Sequence, residues 1–573
     1  MKHNTPNPRT LSVVKKLAVA VTALALSMGP ALAWKESPPL RQVSEKPFGE
    51  YLAGLHAARN SDLHMAADFY AKILALDPDD QMILRKSFSI FIADGQYDKA
   101  SDVAHKLADD NVGDSMVQMY LFLEQMKTGN HDAALLALNN LGDAGVYGLF
   151  KPLFLSWVLL AKGDAKMAEA NIEASLKDEN FLDFKKFHAG LFYDFLGKTH
   201  LAEQMYSEAL LVPGALSLRT VEAYGILLQR IGRGEDARQL YTNYLEKAPE
   251  NARLLRALAD LDKGGKNKSP AVSLISSEAE GVAEIFYTAA NFLMQDNIRT
   301  PATIYLQYAK YLKQDFFIAD YLLGQIFEAE LYYEGALKSY ERITRKHALY
   351  FRARLQMAWV LEKQGQVDQA IAAMTHLSQE FPKNTEIFAA LGDVYRMHSR
   401  FDESAVAYSR LLKQLPAYKE THWSIFYTRG IVYEQGQKWE QAEADFLKAL
   451  ELRPDQPQVL NYLAYSWVDK GINVEKARVM LERAVELRPH DGYIIDSLGW
   501  ALYRMGDMSK AVEYLEKAVL LQTDDWAIND HLGDAYWAVG RKNEAKFQWR
   551  HALSLKPDAE LVAKIKTKIR DGK

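Results

Sequence analysis

The chain has 573 residues, 49% of them hydrophobic and 25% charged, a balance that excludes both a disordered chain and an integral membrane bundle. It has no cysteine, which excludes disulfides, thiolate metal sites, a cysteine nucleophile and a lipid-modified N-terminal cysteine. Net charge is −5, and the first 33 residues hold four basic residues and no acid, so the remaining 65 basic and 74 acidic residues leave −9, the wrong sign for a dedicated nucleic-acid binder.

Residues 1–33 combine a basic start (Lys2, Arg9, Lys15, Lys16), an apolar run from Leu17 to Met28, and the small-residue site Ala31-Leu32-Ala33. This pattern predicts a Sec-type secretory signal cleaved after Ala33. The rival reading, a membrane anchor, needs roughly 20 apolar residues, more than this run supplies. A periplasmic location is therefore expected. Residues 34–47, WKESPPLRQVSEKP, read as a flexible leader.

From residue 48 onward one repeat dominates. A small residue inside a helical pattern recurs at Ala66, Ala100, Ala134, Ala168, Ala202, Ala237, Ala271, Ala302, Ala336, Ala370, Ser404, Ala442, Ala477, Ala511 and Ala545. The mean interval is about 34 residues, the period of a helix-turn-helix repeat. Residues 493–523 show the grammar: a first helix holding Gly499, a turn at Gly506, and a second helix from about Ser509 to Leu521. Gly499 and Ala511 are small where two helices cross closely. Gly506 supplies a left-handed turn. Tyr206, Tyr241, Tyr340 and Tyr408 each lie four residues after a repeat's small residue and are expected in the core between helices.

Leu498-Gly499, Ala511, Leu515 and Ala518, with Leu532-Gly533, Tyr536, Ala545, Trp549, Ala552 and Pro557, resemble the tetratricopeptide repeat consensus. The resemblance covers about residues 48–557 and implies an all-α, right-handed solenoid of about 15 repeats. An N-terminal array is expected over 48–261 and a C-terminal array over 281–557. Between them, 262–280 reads as an irregular region around the loop DKGGKNKSP. The 38-residue step from Ser404 to Ala442 places extra residues around 417–424. The tail 558–573 is expected to be a capping helix whose lysines form a solvated face.

No HExxH motif, nucleophile elbow or phosphate loop in the required strand-turn-helix setting is present, so neither enzyme chemistry nor a metal or cofactor is expected. A cell-wall enzyme would need an inserted non-repeat domain, and the register from Ala66 to Ala545 leaves no space for one. Protein or peptide partners are expected instead. Around Gly499, the positions three before, one after and four after share a face, giving Asp496, Trp500 and Tyr503, with Arg504 beside them. The next unit offers Asp530, Asp534 and Trp537, and the preceding one Asn461 and Tyr465. Aromatic and amide or acid groups on an inner face suit partner binding; the other reading is that they brace adjacent hairpins. The carboxylates disfavour a clamp for an anionic C-terminus. Substituting Trp500→Ala with Asp496→Lys is expected to weaken partner capture and to leave melting nearly unchanged.

The ordered run over 458–552 also resembles a bacterial family of long exported tetratricopeptide proteins. That family includes the lipoprotein adaptor that delivers cell-wall hydrolases to a periplasmic carboxy-terminal processing protease. The resemblance implies an adaptor role. The lipid anchor of that adaptor has no counterpart here, because there is no cysteine to carry it. A part in polysaccharide export or outer-membrane assembly is the alternative.

Overall fold

The computed structural model describes residues 48–110, 114–141, 145–177, 180–211, 217–262 and 272–572. The expected signal and leader (1–47), the stretch 263–270 and Ala271 lie outside the described residues. Among the described residues there are thirty α-helices, one short 3₁₀ turn and no strand. None of these helices is long and apolar enough to cross a membrane.

Several helices begin on a local signal. Asp80, Asp114, Asp491 and Asp525 accept backbone N–H groups of the first turn that follows them. The first helix of the 493–523 unit runs Gly492–Arg504 and the second Met508–Leu521, with Gly506 between them at φ +87°. That conformation is costly for any residue with a Cβ.

The helices pair because of the small residue. Every one of the fourteen described positions from Ala66 to Ala545 is 0% exposed. The reciprocal contact is equally regular. Gly54, Gly190, Gly225, Gly324, Gly392, Gly430, Gly499 and Gly533 each face a large side chain sixteen residues later: Tyr70, Tyr206, Tyr241, Tyr340, Tyr408, Phe446, Leu515 and Trp549. A Cβ at Gly190 would come within 2.5 Å of the Tyr206 ring, so the second helix can approach only where the first offers no side chain. The four tyrosines expected in the core are all buried.

The chain divides into two compact units, one running to Gln366 and one from Val367. In the first, six hairpins run from the pair Phe48–Arg59 and Leu63–Leu76 to the pair Leu218–Arg230 and Gly234–Leu245. A lone helix, Ala252–Asp262, caps the sixth through Leu254, which joins Val221, Leu228, Ala237 and Tyr241. The helices Glu278–Gln295 and Arg299–Leu312 then pack on the first helices of earlier hairpins: Gln81–Asp94, Ser115–Thr128, Gly145–Ala161 and Leu182–Phe195. Phe286 stacks on Phe154 with centroids 5.1 Å apart, and Gly281 lies against the Trp157 indole. Tyr97 Oη donates to the Gln307 carbonyl oxygen at 3.0 Å, and Gln307 Nε2 donates to the Ala93 carbonyl at 2.9 Å. Buried Glu284 takes the Arg219 guanidinium with both carboxylate oxygens, and His188 Nε2 lies 2.8 Å from Thr288 Oγ1. The inner face of the first unit is thus filled by its own chain. For this reason the compact unit extends past the 262–280 region, where the sequence suggests a division, and closes at Gln366.

The second unit differs. Its substantial helix packings all join helices one or two apart in sequence, and its buried residues form several small clusters of neighbouring hairpins. The extra residues expected near 417–424 are there, as a loop and the 3₁₀ turn Glu420–His422. The tail is the helix Ala559–Asp571, with Ile565 buried against Leu532, Tyr536 and Trp549.

Candidate functional site

The first helices of the second unit's last hairpins are Pro457–Lys470, Gly492–Arg504 and Trp526–Ala538. Consecutive first helices touch, so their stripes run side by side. All nine residues expected on the inner face lie on these three helices.

Asp496 is buried, and its carboxylate lies 3.0–3.1 Å from His531 Nδ1 on the next first helix. The His531 ring stacks on the Trp500 indole at 4.1 Å, and Trp500 stacks on Tyr503 at 4.9 Å. Three rings therefore bridge two hairpins. Burial alone would push the His531 imidazole down; Asp496, Asp530 and Asp534 together hold it above its ordinary value of 6.5.

Lys568, from the tail helix, donates to Asp530 at 2.6 Å and to Asp534 at 2.7 Å. Burial would lower the lysine, but the two carboxylates keep it raised and therefore charged. Burial raises Asp534 against the pull of Lys568, and the Trp549 indole N–H donates to its other oxygen at 3.0 Å. Trp537 packs on Trp549 and under Gly572, where any Cβ would strike its ring. The tail is a cap as expected, but Lys568 is not on a solvated face: it neutralises two acids that would otherwise repel each other.

The structure thus divides the nine residues. Asp530, Asp534 and Trp537 are engaged by the tail, and Asp496, Trp500 and Tyr503 form a bracing stack. Arg504 is exposed, and Asn461 and Tyr465 are half-buried. Asn461 Oδ1 is buried and has no donor among the described residues. Tyr465 is half-buried; burial first, then Asp496 and Asp469, raise its hydroxyl above the ordinary value. Arg504 lies 3.9 Å from Asp469, which is 65% exposed. With Asp496 buried and Trp500 covered on both faces, Trp500→Ala with Asp496→Lys acts on folding as well as on the surface. Tyr465 and Arg504 are the better probes.

Sequence reasoning missed His531 and Lys568. Lys568 was accessible to it, since 568 is one 34-residue period beyond Asp534 and continues the row Tyr465, Trp500, Asp534. No group of three or more acidic or histidine side chains placed to hold a metal occurs among the described residues.

His531 gives the site a pH dependence. A folded pKa above 6.5 means that its stabilisation is fully present below about pH 6.5 and is lost as pH rises through the folded value. Raising pH from about 6 to about 8 should lower the melting temperature more for the wild-type chain than for His531→Gln. Equal slopes would remove His531 from this role.

Models of the tetratricopeptide repeat match residues 321–375, 355–419, 427–493, 495–525 and 528–559. The chain is similar to the TPR repeat-containing protein PA4667 of Pseudomonas aeruginosa, 27% identical over 197 residues, which are 34% of this chain and 32% of that protein. It spans about a third of that relative's length. It is also similar to the human protein O-mannosyl-transferase TMTC1, 26% identical over 31% of this chain and 20% of that one. Among solved structures, yeast Tom70 aligns over 92% of this chain and 96% of its own at 15% identity and a TM-score of 0.32.

Proposed function

We propose that this chain, a tetratricopeptide repeat protein, is a non-catalytic periplasmic scaffold that recruits substrates to an envelope protease through the inner face of its second unit. The observation that carries the choice of face is the contrast between the units. In the first unit the inner face is packed against the helices of residues 278–312, whereas in the second every substantial helix packing joins helices one or two apart in sequence, and Arg504 stays exposed. The export signal expected in residues 1–33 and the resemblance of residues 458–552 to exported adaptors support the location and the role.

The test is affinity capture from a cell-envelope extract with residues 34–573, beside Tyr465→Ala/Arg504→Glu, read by mass spectrometry. The expected result is a carboxy-terminal processing protease with cell-wall hydrolases, lost in the variant while its melting curve is unchanged. Recovery of polysaccharide-export or outer-membrane-assembly proteins would replace the adaptor reading. Equal capture by both baits would overturn the site.

A further inference from the structure

The charge of the chain changes sign at its C-terminal end. Residues 541–572 carry nine lysines and arginines against four acids, in a chain whose net charge is −5. Three of the acids are already matched: Glu544 by Arg541, Glu560 by Lys564 and Asp571 by Arg570. Lys568 is taken by Asp530 and Asp534. The other five cations, Lys542, Lys546, Arg550, Lys556 and Lys566, pair with no carboxylate among the described residues. The fourth acid of the segment, Asp558, is the one charge left against them. On the two preceding second helices, by contrast, Arg478, Arg483, Lys510 and Lys517 each reach a carboxylate.

The unmatched cations gather at one end of the second unit. Lys546, Arg550 and Leu553 are i, i+4 and i+7 on the helix Lys542–Ser554 and share a face. Leu553 packs on the cluster that holds Ile565 and Ile569 of the tail, so this face borders the tail helix. Lys542 Nζ lies 5.2 Å from the centroid of the Trp537 ring, which also meets Gly572 at the end of the tail. Lys566 is on the exposed side of the tail, and Lys556 is in the turn between the two helices. Lys546 is half-buried and the other four are exposed. Phe547 stands beside them, 65% exposed and three residues before Arg550, on the same side of the helix.

Four of the five cations are lysines, compact charges on flexible stems. They suit a diffuse anionic surface better than the planar, two-pronged recognition that arginine serves. Such charges draw a protein surface to anionic headgroups, and an exposed aromatic ring among them can enter the boundary with the acyl chains. We propose that this end of the second unit, the outer side of Lys542–Ser554 with the tail helix, docks on an anionic phospholipid bilayer. The five cations lie over the headgroups and Phe547 inserts between them. Tyr465 and Arg504 take no part, so the proposal stands apart from the protease reading.

The test is flotation of residues 34–573 with vesicles of phosphatidylcholine, alone or mixed with phosphatidylglycerol. The chain should float with the mixed vesicles only, and added salt should release it. Lys546→Ala/Arg550→Ala/Lys566→Ala should weaken binding by about a hundredfold, on the order of fivefold for each charge removed, with its melting curve retained. Phe547→Ser should weaken it by about tenfold and leave the salt dependence unchanged. Removing three lysines from the first unit, in Lys72→Ala/Lys106→Ala/Lys166→Ala, should leave binding intact; an equal loss there would overturn the site. Equal flotation with both vesicle types would overturn the charge assignment, and wild-type affinity in Phe547→Ser would overturn the insertion of the ring. Binding to polyglutamate or to a DNA strand, with both kinds of vesicle left unbound, would overturn the lipid surface and assign an acidic protein or a nucleic acid in its place.

Discussion

Glu284→Ala should be among the most damaging single substitutions in the first unit, costing about 3–4 kcal/mol, the lower part of the range for breaking a buried ion pair. Glu284 is 0% exposed and receives the Arg219 guanidinium through two hydrogen bonds. Removing it leaves a cation that is 9% exposed, with part of its charge unanswered. Glu222 lies 3.1 Å from the same guanidinium and keeps one arm satisfied, which sets the effect below the top of the range. The loss should appear in the urea midpoint and as protease cleavage within residues 278–312, because this pair ties that segment to the Leu218–Arg230 helix. Replacing both partners with apolar residues, Arg219→Met with Glu284→Leu, should recover most of the loss, since it removes the desolvation cost together with the attraction. A double variant as unstable as the single one would show that the pair is not what holds the hairpin.

Trp549→Ala should cost about 3–5 kcal/mol in the second unit, the usual range for truncating a buried tryptophan. The indole is 1% exposed and fills the space left by Gly533. Its N–H also donates to Asp534, so truncation removes both packing and a hydrogen bond to a carboxylate pushed up by burial. Trp549→Phe should keep most of the packing and lose the donor, so its loss relative to the wild-type chain reads the hydrogen bond at about 1–2 kcal/mol, and the difference between the two variants reads the packing. The second unit should therefore melt earlier in Trp549→Ala, while the proteolytic stability of residues 278–312 is unchanged. Coupled loss in both would contradict the division at Gln366.

The two substitutions differ in how far sequence could anticipate them. Trp549 stands in the repeat's large-residue position, sixteen after Gly533, and its burial follows from the period alone. Glu284 does not. The helices of 278–312 carry the repeat's small residue at Ala302, 34 residues before Ala336, and only the 31-residue step from Ala271 marks them off in the register. One sign was present. The stretches GVAEIFYTAANFLM and PATIYLQYAKYL carry apolar residues around most of the helix circumference, and such a helix has neighbours on more than one side. That sign says such a helix is surrounded, without saying by what.

By itself the sequence determined the pairing of helices into hairpins and the small residues at which they cross. All of these follow from spacings of a few to a few tens of residues: a small residue opposite a large one, a capping aspartate, a left-handed glycine. Only the tertiary structure decided which inner face is already occupied. The contact between Tyr97 and Gln307 joins residues 210 apart. Nearest-neighbour packing specifies each step of a repeat array but not the path on which a later hairpin returns to an earlier one. That return depends on the accumulated geometry of the hairpins between them, together with the charge match of Arg219 and Glu284.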